Sequence, residues 1–210
     1  PEQRVIPAKE YVPEAKFTDI TSESGINFEH NNGATGDKLL PESMGAGVAF
    51  FDFDSDGDQD LLFINGTWWP WDIKKKPELK PTTAALYRNN GKGMFEDVTV
   101  GSGLDVPFYG MGLAIGDYDN DGLPDVYCTA VGSNRIFKNL GGGKFNDVTA
   151  SAGVAGGENE WSTSAAFADV DNDGDLDLFV CNYVRWSREI DFEVNYTLVV
   201  VGPAYGAPKN

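Results

Sequence analysis

The chain is poor in histidine, cysteine and basic residues: it has one His, two Cys, and 16 Lys and Arg against 33 Asp and Glu. Each scarcity excludes something. With His30 as the single histidine and no Ser/His/Asp or His/Cys pattern, the usual nucleophile–base pairs have no raw material. Cys128 and Cys181 each follow an acidic stretch inside an apolar run. Both are expected as buried small hydrophobes, and neither reports a redox compartment. No apolar run reaches the length of a membrane span, so no transmembrane helix is expected. The formal net charge is −17, and the only basic run, Lys74-Lys75-Lys76, reads as a solvated loop. That balance excludes nucleic acid as a partner, which needs a basic surface. The sequence opens on Pro1, so any signal peptide is expected to have been removed or left out.

Aspartate is what the chain has in excess, and it comes in a fixed order. Residues 52–60 read D-F-D-S-D-G-D-Q-D, residues 117–125 read D-Y-D-N-D-G-L-P-D, and residues 169–177 read D-V-D-N-D-G-D-L-D. The shared form is D-x-D-x-D-G-x-x-D, and fourteen of the 33 acids lie in it. Oxygens at positions 1, 3, 5 and 9 can converge on one hard cation, position 7 can add a backbone carbonyl, and Gly at position 6 permits the sharp turn. Calcium is the expected ion, since it takes six to eight oxygens in flexible geometry. The expected ligands are Asp52, Asp54, Asp56, Asp58 and Asp60; Asp117, Asp119, Asp121, Leu123 and Asp125; and Asp169, Asp171, Asp173, Asp175 and Asp177. A helix–loop–helix site needs a bidentate Glu at position 12. Phe63, Cys128 and Val180 stand there instead, so these loops join strands, and Asp60, Asp125 and Asp177 take over the Glu's task. Asp and Gly also favour plain turns without metal, but the same register three times in the same context weighs against that reading. Four carboxylates within about 4 Å repel by a few kcal/mol per pair at an effective dielectric near 20, and nothing basic lies inside any loop. Three calcium ions would bring the formal charge from −17 to about −11.

The loops belong to a larger repeat. Strand A covers 45–52, 110–117 and 162–169 and alternates large against small. One face holds Ala46, Val48 and Phe50; Met111, Leu113 and Ile115; Thr163, Ala165 and Phe167. The other is mainly Gly and Ala, which lets neighbouring backbones approach. Strand B covers 61–65, 126–130 and 178–182; strand C covers 86–89 and 136–139. Strand D is the F-x-D-V-T element at 95–99 and 145–149, each followed by a small-x-Gly pattern. Four-stranded antiparallel units repeating at about 50 residues predict an all-β fold, a β-propeller. The expected organisation is an extended lead-in over 1–16 and a partial propeller over 17–210. Within it, 17–21 is an orphan closing strand D, 45–99 the first blade, 110–149 the second, and 162–210 an incomplete third. Propellers need four to eight blades, so this reads as the front of a longer ring, expected to count seven. An insertion, 67–84, carries Trp68, Trp69 and Trp71, and the apolar run 198–201 is a candidate strand.

The phrase from Met44 through the first acidic loop to Leu62, with L-Y-R-N-N-G at 86–91 and F-E-D-V-T at 95–99, resembles FG-GAP/VCBS repeats, the calcium-binding propeller repeats related to those of integrin α chains. Residues 25–30 and 40–45 resemble more closely the cartilage acidic protein group, whose members often end in an ASPIC/UnbV domain. The resemblance implies calcium loops at the blades, secretion or surface exposure, and recognition of protein or glycan. It implies no catalytic site.

The function expected is therefore a non-enzymatic, secreted, periplasmic or cell-surface module for recognition or adhesion, with structural calcium. The alternative is part of a secreted propeller enzyme acting on polysaccharide, for which His30, Glu42, Glu96, Asp97 and Asp147 are the spare groups. Asp97 and Asp147 recur with Asp19, which favours a structural turn, and His30 precedes the turn Asn31-Asn32-Gly33. A third reading stacks sugars on Trp68, Trp69 and Trp71, with Trp161 and Trp186 elsewhere. A local hydrophobic cluster is the reading favoured over it.

Overall fold

The computed structural model describes residues 16–194, Thr197–Leu198, Gly202–Pro203 and Tyr205. Four consecutive antiparallel strands form the first blade: β1 (Val48–Phe51), β2 (Asp60–Phe63), β3 (Ala85–Asn89) and β4 (Phe95–Asp97). The second repeats it with β5 (Gly110–Gly116), β6 (Asp125–Ala130), β7 (Arg135–Asn139) and β8 (Phe145–Asp147). The third consists of β9 (Glu160–Ala168) and β10 (Asp177–Arg185) among the described residues. Short helices interrupt this pattern: α1 (Pro70–Lys75) in the first insertion, α2 (Thr149–Ala152) after the second blade, and α3 (Arg188–Glu193) after β10. The expected meanders and the all-β class are thus observed, as a partial propeller. Of the run 198–201, Leu198 pairs with Gly202 across a minimal hairpin; the other residues, like the lead-in 1–15, lie outside the described residues.

The alternation of large and small side chains explains how the blades pack. Blade 2 turns Leu113, Ile115, Val126, Cys128 and Phe137 toward Phe51, Phe53, Leu62, Ile64 and Leu86 of blade 1. Its other face, with Ala114, Tyr127 and Ile136, meets Ala165, Phe167, Leu178 and Val180 of blade 3. The large face of each inner strand therefore meets the small face of the blade before it. At the glycines the inner strands nearly touch. A Cβ on Gly112 would lie 2.4 Å from the Thr163 carbonyl oxygen, and one on Gly47 2.8 Å from Leu113 Cδ2. Gly47 donates to the Met111 carbonyl of blade 2 (2.6 Å) while its own carbonyl accepts from Ile64 N–H (2.9 Å). The strand β1 begins at Val48 and not at the expected residue 45.

Where no neighbouring blade follows or precedes among the described residues, the same side chains are bare. Phe50 on blade 1 is 65% exposed and Phe179 on blade 3 is 67% exposed. The expected strand 17–21 forms no strand, because no described strand lies beside it, and Phe17 is 95% exposed. Its local chemistry nevertheless matches strand D. Thr21 N–H donates to Asp19 Oδ1 (2.9 Å) as Thr99 N–H does to Asp97 (2.9 Å) and Thr149 N–H to Asp147 (3.0 Å). The linker after it matches too. Ser24 O accepts from Phe95 N–H and Ser102 O from Phe145 N–H, both at 2.7 Å. Gly25 and Gly103, at φ +81° and +93°, permit this, since a Cβ would lie 2.6 and 2.0 Å from the next Phe carbonyl oxygen.

The insertions of blades 1 and 3 meet the chain's preamble at the end of the strands opposite the acidic loops. Leu39, Trp69, Tyr109, Met111, Trp161 and Trp186 form a buried cluster there. Asp191 Oδ2 accepts from both Leu40 N–H and Trp186 Nε1, each at 2.7 Å, and Arg188 pairs with Asp37 at 2.9 Å.

Replacing Gly112 with valine inserts atoms where backbone already stands and is expected to cost about 1–3 kcal/mol or more. At roughly 2–4 °C per kcal/mol for a chain of this size, circular-dichroism melting should show a clear drop. Gly45→Ala, whose Cβ meets nothing within 4 Å, should melt like the parent. Equal melting of Gly112→Val and the parent would contradict the close inter-blade approach.

Candidate metal centres

Each acidic loop closes the turn between the first two strands of a blade, β1–β2, β5–β6 and β9–β10, and all three are built alike. The carboxylate at position 1 collects the backbone of its own turn. Asp52 accepts from Asp56 and Gly57 N–H (3.1 and 2.9 Å), Asp117 from Asp121 and Gly122 (3.0 and 2.8 Å), and Asp169 from Asp173 and Gly174 (3.1 and 3.0 Å). Position 5 accepts from the N–H of position 7 in every copy, at 2.9–3.0 Å. Gly57, Gly122 and Gly174 take the expected positive φ, +96°, +88° and +96°. So do Ser55, Asn120 and Asn172 at position 4, at +61°, +57° and +62°. The sequence reading missed this. Asn in two of the three copies was the available signal, since Asn tolerates the left-handed region.

Positions 1, 3 and 9 come together. Asp52, Asp54 and Asp60, then Asp117, Asp119 and Asp125, then Asp169, Asp171 and Asp177 each offer carboxylate oxygens within 4.8 Å of one another. Position 9 is the anchor. Its Oδ2 accepts from the N–H of position 2 in each loop: Phe53 (3.1 Å), Tyr118 (3.2 Å) and Val170 (3.0 Å). Its Oδ1 accepts from the end of the third strand, Asn89 N–H (2.8 Å) and Asn139 N–H (2.7 Å). Asp60 and Asp125 are 0% exposed, whereas Asp177 is exposed. Asp56, Asp121 and Asp173 stand outside the three-carboxylate groups, one oxygen of each being held by its own turn. At position 7, Asp58 leans on the β3–β4 turn at Gly91 and Asp175 accepts from Asn120, so their side chains turn away. Position 7 was expected through its carbonyl, as for Leu123.

The charge balance differs from the expectation. No cation lies inside a loop, but the third strand supplies one from outside. Arg88 Nε pairs with Asp54 Oδ2 at 2.9 Å, and Lys138 Nζ pairs with Asp119 and, at 3.0 Å, with Asp121. These two residues precede Asn89 and Asn139, so the strand end that holds position 9 also delivers the cation. Burial pushes the Asp60 and Asp125 carboxyls up to about 6. Their backbone donors oppose that shift, and the neighbouring Asp54 and Asp56, or Asp119 and Asp121, add to it. Asp54 Oδ1 is buried and has no hydrogen-bond partner. A set made only of oxygens, with a buried acceptor left unpaired beside a desolvated carboxylate, fits a hard divalent cation.

The remaining candidates fall elsewhere. Asp97 and Asp147 cap turns with Thr99 and Thr149, as the recurrence suggested, and Asp147 also pairs with Arg135 at 2.8 Å. Glu96 and His30 are exposed. Glu42 is buried in the preamble, its carboxyl raised chiefly by desolvation, and it accepts weakly from Tyr205 (3.4 Å). The ring of Trp69 stacks on Tyr109 (4.3 Å), Trp186 (4.9 Å) and Trp71 (5.2 Å), and Arg188 lies 5.0 Å over Trp71. Trp161 is fully buried. Trp69, Trp71 and Trp186 thus spend their faces on one another, whereas Trp161 meets Tyr183 edge-on. Cys128 is buried at the interface of blades 1 and 2, but Cys181 is exposed, contrary to expectation. Two residues on from Phe179 and in continuous register with it, Cys181 lies on the bare face of blade 3.

Comparison with known proteins follows the same repeats. The FG-GAP-like repeat family profile matches residues 79–128 and 117–180. Cartilage acidic protein 1 of Mus musculus and of Homo sapiens are each 28% identical to the chain over 140 residues, 66% of this chain and 21% of theirs. The Xenopus tropicalis protein of the same name is 32% identical over 107 residues, 50% of this chain and 16% of its own. The chain spans about a fifth of the length of these curated relatives. Acidic turns, four-stranded blades and the matched repeat profile together make the chain an FG-GAP repeat protein, similar to the cartilage acidic proteins.

Proposed function

We infer that the chain is part of a non-enzymatic extracellular recognition module in which calcium fixes the turn of each blade. The observation that carries this is the threefold convergence of carboxylates at positions 1, 3 and 9, with position 9 buried in the first two loops. The ligands would be Asp52, Asp54 and Asp60, Asp117, Asp119 and Asp125, and Asp169, Asp171 and Asp177. Asp56 and Asp173 would add a free oxygen, Asp121 the oxygen that Lys138 holds, and residues 58, 123 and 175 a carbonyl. The ion's chemistry here is charge neutralisation. It would replace the long cationic side chains Arg88 and Lys138 as the partner of position 3. Calcium-rich surroundings suit such loops, because extracellular modules bind at about 10⁻⁴–10⁻³ M; secreted, periplasmic or surface placement follows.

The partner, protein or glycan, would meet the face opposite the loops. A cleft of about 550 Å³ opens there beside the aromatic stack, with Trp68, Phe108, Arg135 and Arg188 among its lining. The closing-strand reading of residues 17–21 has support from the turn and linker chemistry they share with the two strand D copies.

Differential scanning fluorimetry should show melting temperature rising with calcium and returning in excess EDTA. At a hundredfold excess over Kd the gain per site is about 2.7 kcal/mol. Identical melting in calcium and in EDTA would remove the structural-calcium claim.

Acidity should modulate that gain. A carboxyl whose folded pKa is raised prefers its proton in the fold, whereas calcium needs the ionised form, so protons compete with the metal up to about pH 6. The calcium-dependent shift should be level above pH 7 and shrink as pH falls through 6. In calcium-free buffer the same two groups lower stability as pH rises from 3.8 to about 6. A calcium shift that stays constant down to pH 5 would contradict the burial of position 9 at the metal.

A further inference from the structure

We propose that the three acidic loops are coupled through two side-chain amides, Asn139 and Asn120, so that occupancy of one loop changes the calcium affinity of the next. This rests on the calcium reading above.

Asn139 is the stronger link. It is fully buried, and its polar groups are spent on two blades at once. Its N–H holds Asp125 Oδ1 of loop 2 (2.7 Å), and its Nδ2 donates to the Pro124 carbonyl of loop 2 (3.1 Å) and to the Phe53 carbonyl of loop 1 (2.9 Å). Its Oδ1 accepts from Gly141 N–H (2.9 Å). Phe53 in turn donates its N–H to Asp60 Oδ2 (3.1 Å). An unbroken path therefore runs from the Asp60 carboxylate through Phe53 and Asn139 to the Asp125 carboxylate, and all four residues are 0% exposed. Buried, fully used hydrogen-bond networks transmit displacement, because a broken member leaves a desolvated group unpaired. Asn89, the equivalent in blade 1, makes the two bonds within its own blade, to Asp60 and to the Gln59 carbonyl. No blade precedes blade 1 among the described residues, so Asn89 makes no such crossing bond there.

Asn120 is the weaker link. It sits at the left-handed position 4 of loop 2 and donates Nδ2 to Asp175 Oδ1 (2.8 Å) and to the Gly174 carbonyl (3.3 Å) of loop 3. Asp175 is the residue whose carbonyl is the expected position-7 ligand. The link is exposed, so it carries less than the buried one. The equivalent residue in blade 1 is Ser55.

Tyr118 stands at position 2 of loop 2, where loops 1 and 3 have Phe53 and Val170, so terbium bound there is sensitised by the neighbouring phenol. Because the Tyr118 ring also packs with Phe167 and Leu178 of blade 3, the emission that Asp119→Asn removes is the part assigned to loop 2. The experiment titrates the protein with terbium, follows Tyr118-sensitised emission, and displaces it with calcium. It compares the parent with Asp54→Asn in loop 1 and Asp171→Asn in loop 3, each checked for unchanged melting in EDTA. Coupling predicts that each distant substitution weakens loop 2 by about fivefold or more. It also predicts that Asp171→Asn loses this effect in an Asn120→Ser background. Equal loop 2 affinity in the parent and in both single variants would overturn the coupling while leaving calcium binding intact. Emission that calcium fails to displace would overturn the calcium reading itself, and the coupling with it.

Discussion

Two aspartates, Asp60 and Asp125, are buried without any surface of their own and yet face other carboxylates. The blade architecture is organised around resolving that conflict. Each oxygen of these side chains takes a backbone N–H, one from position 2 of its loop and one from the end of the third strand. The first bond shapes the turn. The second ties it to a strand that is one connection further along the chain. Hydrogen bonds offset part of the desolvation cost of a carboxylate but not the repulsion of its neighbours. The remainder falls to positive charge, supplied by Arg88 and Lys138 in the chain alone and by the ion in the proposed loaded state.

This arrangement divides the molecule by function. One end of the strands carries negative charge in fixed turns. The other carries the insertions, whose aromatic rings interleave and whose polar groups tie the preamble to α3 through Asp191 and Arg188. Between the two ends, large side chains meet small ones, and a few hydrogen bonds cross, among them Gly47 N–H to the Met111 carbonyl. Gly47 against Leu113 sets how closely the inner strands of blades 1 and 2 approach, and across that same interface Asn139 reaches loop 1. A wider spacing would leave each loop an isolated turn.

Much of this was legible in the sequence because the determinants are local and repeated. Position 6 glycines, the strand order and the large-against-small alternation follow from spacing within a few residues. What the sequence concealed is mostly non-local. The cations that meet the loops come from Arg88 and Lys138, which look like ordinary polar positions of a strand until the sheet is assembled. The mutual stacking of Trp69, Trp71, Trp186 and Tyr109 joins residues more than a hundred positions apart. Cys181 was read as buried from its apolar surroundings, but its face of blade 3 meets no blade among the described residues. Positive φ at position 4 was readable from Asn120 and Asn172 and was overlooked because Ser55 conceals the pattern.

The most direct test of the account is diffraction from crystals grown in millimolar calcium, recorded where calcium scatters anomalously. Three anomalous peaks are predicted, one per loop, each about 2.3–2.6 Å from the oxygens of positions 1, 3 and 9. Loops that keep their shape with no anomalous density, and with Arg88 and Lys138 still paired to Asp54 and Asp119, would contradict it.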